Sequence, residues 1–335
     1  MPEPATILVV APNWLGDAVM AMPALADIRR HFRSSRLIVA ARSSVADLFR
    51  MVPGVDDVVA AEPEIVRAAD ASVAILFPNS FASAWLTQRA GIPERWGYAA
   101  DLRSVLLTRK VRKPRVPLHQ GGYYQHLVRE LGIATGPLEP ALSVPPVSLD
   151  HARALLAARG WDGQCPIVAL APGAAYGTAK QWIPAHVARL ITDLVRERRI
   201  TCVLVGSKGD AATTAAVRSA TPEDCHSSII DLAGATSLLV LAAVLSLARA
   251  CVSNDSGAMH LAAAAGVPVV AVFGSTNEQA TSPLTRQGTR AEVVTNPVWC
   301  RPCMLRECPI DHRCMTGIEP RRVFEAVNRV ADAHV

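Results

Sequence analysis

Thr6-Ile7-Leu8-Val9-Val10-Ala11 followed by Pro12-Asn13-Trp14-Leu15-Gly16-Asp17 decides the fold. A compact apolar run rich in β-branched residues reads as a buried strand, and the segment after it as a turn. Helical spacing then runs from Ala18 to Phe32. Leu37 to Ala41, Val58 to Ala60 and Val73 to Phe77 repeat the short strand pattern, with helical stretches such as Ser44 to Met51 and Phe81 to Ala90 among them. Such alternation predicts an α/β fold, a parallel sheet covered on both faces. Thr135 to Pro146 holds four prolines in twelve residues, which neither a helix nor a central strand tolerates. The chain therefore divides there, into 1–146 and 147–335. The pattern then restarts. Asp150 is expected to cap a helix reaching about Arg159, and strands follow at Ile167 to Ala171, Thr201 to Val205, Ile229 to Leu232, Ala250 to Val252 and Val269 to Phe273. Two Rossmann-like halves emerge.

Length and composition agree with two domains. The chain has 335 residues, half of them hydrophobic and 19% charged, with mean hydropathy +0.23, the profile of a globular protein with much buried aliphatic surface. A net charge of +5 is too mild for a dedicated nucleic-acid binder, yet it suits an anionic small ligand or surface. Only four lysines occur, Lys110, Lys113, Lys180 and Lys208, so each invites a reason for its presence. The start, Met1 to Thr6, has an acidic residue where an export signal needs basic ones. No apolar stretch reaches the roughly 20 residues that span a bilayer. The eight cysteines are expected to stay mostly reduced in a cytosolic setting. Neither half carries Gly-x-Gly-x-x-Gly after its first strand, and Walker A and Gly-x-Ser-x-Gly are missing as well.

Three strand-to-helix junctions carry candidate chemistry. In the first, Gly16 lets backbone approach a ligand, and Asp17 is either a helix cap or a general base. In the second, Ala171 to Trp182, the loop gathers Gly173, Thr178 and Lys180 where helix N–H groups attract phosphate. In the third, Ser253 to His260, Ser256 and Gly257 open a helix toward a diphosphate, and His260 sits one turn in, either as a ligand-facing group or as a satisfied structural residue. Gly206-Ser207 follows a further strand in the same half. These junctions predict a nucleotide diphosphate site in the C-terminal domain.

Val9 to Asp17, Phe77-Pro78-Asn79-Ser80-Phe81, Ala90-Gly91-Ile92-Pro93, Pro172 to Trp182, Ser253 to His260 and Arg306-Glu307-Cys308-Pro309 together resemble the lipopolysaccharide heptosyltransferases, in order along nearly the whole chain. The Asn-Ser-Phe and Arg-Glu-Cys-Pro segments favour the heptosyltransferase II branch over the heptosyltransferase I branch. The resemblance implies the GT-B architecture, two Rossmann-like domains with parallel sheets facing across a cleft. It implies an inverting reaction that needs neither metal nor cofactor. The donor is then ADP-heptose, held by the C-terminal domain, and the acceptor is lipid A–Kdo–heptose, held by the N-terminal domain. By motif, Asp17 corresponds to the base, Lys180 to the diphosphate-contacting lysine and Asp255 to the residue holding the heptose. Ser256, Gly257 and His260 match the donor motif, Thr236 falls beside the nucleotide, and Gly16, Asn79 and Ser80 fall on the acceptor side. One departure is Ala175-Tyr176, where an acidic-aromatic pair is more familiar, which bears on donor selectivity. The resemblance further implies a monomer at the cytoplasmic face of the inner membrane, in transient contact with its inner leaflet, with no nucleic-acid partner.

Two signals stay open. Arg103, Arg109, Lys110, Arg112, Lys113 and Arg115 are either a solvated surface or a landing site for anionic headgroups. Cys300, Cys303, Cys308 and Cys314 have a spacing that could bind zinc, although the resemblance favours reduced thiols. Two rival functions fit parts of the pattern: a GT-B sugar-nucleotide epimerase, and a non-catalytic nucleotide- or metal-binding scaffold.

Overall fold

The computed structural model describes residues 3–100 and 102–332. Met1 and Pro2 of the N-terminal segment read above lie outside the described residues, as do Asp101 and residues 333–335. The chain forms two compact units, Met1–Ser143 and Val144–Val335.

In the first unit the strands are β1 (Thr6–Val10), β2 (Arg36–Ala41), β3 (Asp57–Ala60), β4 (Val73–Leu76), β5 (Glu94–Tyr98) and β6 (Arg109–Val111). They make one parallel sheet in the order β3-β2-β1-β4-β5-β6. In the second unit β7 (Ile167–Ala171), β8 (Thr201–Leu204), β9 (Ile229–Asp231), β10 (Ala250–Asn254), β11 (Val269–Phe273) and β12 (Ala291–Thr295) pair in the order β12-β11-β10-β7-β8-β9. Both units thus repeat one doubly wound topology, in which each sheet reverses direction at its centre, between β1 and β4 and between β7 and β10. In open α/β sheets ligands bind beyond the carboxyl ends of the strands at such a reversal. The central strands are apolar along their whole length because both faces are covered: β4, β7, β8, β10 and β11 are buried at every position.

Several expected boundaries move. The first helix is two, Leu15–Met20 and Met22–His31, hinged at Ala21, with Pro23 in the first turn of the second. A proline there costs no hydrogen bond, since its N–H would have no partner. The same reasoning explains why Pro146 begins a helix instead of ending a linker. That helix runs Pro146–Ala157, so Asp150 lies inside it and is not its cap. Three strands escaped the sequence reading: β5, β6 and β12. So did the helices Gln120–Glu130 and Pro320–Asp332; the latter packs on Pro184–Arg198 and buries Val323, Phe324 and Val327.

Candidate active site

The loops at the two sheet reversals carry most of the expected residues. In the C-terminal unit the loop after β7 leads into a short turn, Thr178–Lys180, and Lys180 Nζ reaches Asp255 Oδ2 at 2.7 Å beyond the end of β10. The lysine is 14% exposed and the aspartate 6%. Asn254 knits the same two loops. Its Oδ1 accepts from Trp182 N at 3.0 Å and its Nδ2 donates to the carbonyls of Pro172 (2.6 Å) and Gly173 (3.2 Å). The helix Gly257–Ala264 starts immediately afterwards. Ser256 occupies its N-cap position without a side-chain capping bond; its hydroxyl lies 3.0 Å from Ser253 Oγ. His260 is buried one turn in.

Gly173 and Gly206 converge on Asp210, a residue the sequence reading missed. A Cβ at Gly173 would run into the Asp210 carboxylate, and one at Gly206 would meet Asp210 Cβ at 2.8 Å. Only glycine permits that approach. Asp210 Oδ2 accepts from Ser207 N (2.8 Å) and Ser207 Oγ (2.7 Å), so Ser207 serves a capping box here. Thr236 lies half-buried in the turn after β9, held nearby through Gly234 N donating to Gly206 O at 2.9 Å.

A segment near the C-terminus braces the lysine loop. Ala179 N donates to Arg306 O at 2.9 Å, His312 Nε2 lies 2.9 Å from Ala179 O, and Tyr176 Oη donates to Met304 O at 2.9 Å. The Tyr176 ring carries two cations, Lys180 Nζ at 4.8 Å and the Arg306 guanidinium at 5.3 Å from its centroid. Since Ala179 O is an acceptor, His312 Nε2 must be the protonated nitrogen of that contact. Thr178 itself is exposed. Beyond β11, Ser275 Oγ and Thr276 Oγ1 are buried with no hydrogen-bond partner. The signal for them was Gly274-Ser275-Thr276 directly after a strand, the same grammar as the loops already singled out.

Cys300, Cys303, Cys308 and Cys314 are free thiols around a cavity of about 60 Å³ that Ser275 and His312 also line. Among the described residues no group of three or more His, Cys, Asp or Glu side chains is arranged to hold a metal ion.

In the N-terminal unit Trp14, not Asp17, is the cap of Leu15–Met20; Asp17 stands in the first turn, half-buried. Its negative charge adds to the burial that pushes the Tyr124 hydroxyl well above the usual tyrosine range. Asn79 Nδ2 donates to Tyr123 Oη at 2.9 Å, while Asn79 Oδ1 is buried without a partner. Such an orphaned acceptor is costly unless a ligand satisfies it. Ser80 caps Phe81–Arg89 by accepting from Ser83 N at 3.3 Å. Gly16 lies beside Asp17 in the first turn. Of the six clustered cations, Arg103 is fully buried, donating to Tyr98 O (2.9 Å), Ser83 Oγ (3.1 Å) and Pro78 O, so it leaves the expected surface run; the other five are exposed.

Two doubly wound units, each with its candidate residues in loops at the sheet reversal, define a glycosyltransferase of the GT-B class. Residues 64–313 match the model of glycosyltransferase family 9 (heptosyltransferase), and the chain belongs to that family. It is 28% identical to the lipooligosaccharide heptosyltransferase 2 of Haemophilus influenzae, over 97% of this chain and 99% of that protein. The same identity holds to the lipopolysaccharide heptosyltransferase 2 of Escherichia coli, over 96% and 97%. The solved structure of E. coli ADP-heptose LPS heptosyltransferase II superposes with a TM-score of 0.84 at 26% identity, covering 97% of this chain and 98% of that one.

Proposed function

We propose that this enzyme moves L-glycero-D-manno-heptose from ADP-heptose to the first heptose of the lipopolysaccharide inner core, with inversion and without a metal. The observation that carries the reading is the Lys180–Asp255 pair at the reversal of the second sheet, beside loops built from Gly173, Gly206 and Gly257. The relatives named heptosyltransferase 2 support the choice of donor and acceptor. In this reading the second unit binds the donor. Lys180 and the N-terminus of Gly257–Ala264 stabilise the charge gathering on the departing diphosphate, Asp255 faces the heptose, and Thr178, Thr236, Ser256 and His260 complete the donor site. The first unit binds the acceptor through Gly16, Asn79 and Ser80.

Asp17 is then the base. The acceptor oxygen forms its bond to the anomeric carbon as the bond from that carbon to the diphosphate oxygen breaks. The electron pair leaves with ADP, and the acceptor proton passes to the Asp17 carboxylate. A monomer in transient contact with the inner leaflet, at the cytoplasmic face, would meet such a lipid-linked acceptor. No helix among the described residues is long and apolar enough to cross a membrane, and contact at a surface requires none.

The test is transfer from ADP-heptose to an acceptor already carrying its first heptose, beside one lacking it, with EDTA in both. Product on the first acceptor alone supports the reading. Product on the bare acceptor alone makes the enzyme a first-heptose transferase, and no product on either overturns the donor assignment.

A further inference from the structure

The helix Phe81–Arg89, the turn Arg103–Leu106 and edge strand β6 form one side of the N-terminal unit; the turn packs on the helix, and β6 pairs with β5. Its outward residues are unusual. Leu102 is 90% exposed, Val105 82%, Trp85 46% and Phe81 45%. The Phe81 and Trp85 rings lie parallel at 6.2 Å, one turn apart on the helix. Leu102 adopts φ +58°, a conformation that disfavours branched side chains. Buried Arg103, hydrogen-bonded to Tyr98 O and Ser83 Oγ, pins this turn to the helix, so the apolar side chains stand on a fixed base.

Lys110, Arg112, Lys113 and Arg115 follow this turn along the chain and are all exposed, whereas Arg109, also exposed, turns its guanidinium over the Trp96 ring at 5.1 Å; no acidic residue occurs from Leu102 to Arg129. Cations on an edge strand discourage unwanted strand pairing, which accounts for Arg109 and Lys110. It does not account for the three beyond the strand, nor for a leucine and a valine turned almost wholly outward. Aromatic rings beside aliphatic tips, followed along the chain by a run of cations, match a bilayer interface with anionic headgroups.

We infer that this face docks on an anionic lipid surface, through Leu102, Val105, Phe81 and Trp85 at headgroup depth and the exposed Lys110, Arg112, Lys113 and Arg115 against lipid phosphates. The inference deepens the acceptor assignment above and rests on it for its purpose, because a lipid-linked acceptor is presented at such a surface. Vesicle binding needs neither donor nor acceptor, so it can fail while the transfer assay succeeds, and the reverse.

The experiment is co-sedimentation of the full chain with vesicles of phosphatidylcholine alone and of phosphatidylcholine mixed with phosphatidylglycerol. Binding to the mixed vesicles, weakened by salt, is expected. Lys110→Gln with Lys113→Gln should weaken it by roughly tenfold or more. Leu102→Ser with Val105→Ser should weaken the salt-resistant part. Both variants should keep their circular dichroism and their transfer to a water-soluble acceptor fragment. Equal binding by the variants, equal binding to neutral vesicles, or a concentration-dependent dimer dispersed by Val105→Ser would each overturn the inference.

Discussion

Lys180 and Asp255, 75 positions apart, form a 2.7 Å ion pair that joins the loops at the reversal of the second sheet. Each is the other's counter-charge, so a bound diphosphate would compete with Asp255 for the ammonium. Lys180→Met should weaken ADP binding by about tenfold or more, the loss of one charge-assisted contact. Asp255→Asn should instead leave ADP affinity intact or tighter while turnover falls. Calorimetric titration of ADP into both variants decides the matter: equal weakening by the two would show that Asp255 supports the phosphate site and does not compete with it.

Asp17 stands in the first turn of Leu15–Met20 without capping it. Asp17→Asn is expected to lower transfer by about 10²–10⁴, the usual worth of a general base, with ADP affinity unchanged. Single-turnover rates beside a titration check this, and near wild-type transfer by the variant would remove Asp17 from the reaction.

The sequence made the central strands legible because burial on both faces leaves an unbroken apolar run, as in Ile167-Val168-Ala169-Leu170-Ala171. β5 (Glu-Arg-Trp-Gly-Tyr) and β6 (Arg-Lys-Val) lie toward one edge and carry charges, so no run marks them. Gln120–Glu130 begins with two glycines after its first residue, a poor helix by propensity, and owes its existence to the packing of Tyr124, Leu127 and Val128. Lys180 stood out because lysine is scarce in this chain. The brace from Met304, Arg306 and His312 did not, since contacts across more than a hundred residues leave no local pattern.

Burial pushes the Cys251 thiol up to about 12 and raises Cys202 as well, whereas Cys303 is exposed. Alkylation proceeds through the thiolate. Under native conditions at mildly alkaline pH, iodoacetamide should modify Cys303 first and leave Cys202 and Cys251 untouched until the chain is unfolded. Peptide mass mapping over time gives the order, and early labelling of Cys251 would contradict the buried placement of β10.

His126 should make stability depend on pH. Its Nδ1 lies 2.8 Å from Tyr98 Oη, which donates to Tyr123 O at 2.8 Å, and burial holds its imidazole below the ordinary value. The unfolded chain therefore takes up this proton more readily than the folded one. The stability tied to neutral His126 is present above the unfolded value near about 6.5 and is lost as pH falls through the lower folded value. Urea midpoints across that window should decline in the wild type and flatten in His126→Gln. Parallel curves would show that other groups govern the slope.

Gly177 tests the brace. It has φ +155°, and a Cβ there would run into the Arg306 carbonyl, the same oxygen that accepts from Ala179 N. Gly177→Ala must push the lysine loop away from the C-terminal segment, loosening Tyr176 from Met304 and Ala179 from His312. Gly160 supplies the control, with φ +97° and open space where a Cβ would stand. Gly160→Ala should carry the left-handed strain alone, about 1–2 kcal/mol of stability, with donor KM unchanged. Gly177→Ala should lower stability too, but raise donor KM by about tenfold, because the displaced loop carries Lys180, the proposed phosphate contact (about 1.4 kcal/mol of binding). If both variants lose stability alike and neither shifts KM, the brace supports the fold without positioning Lys180.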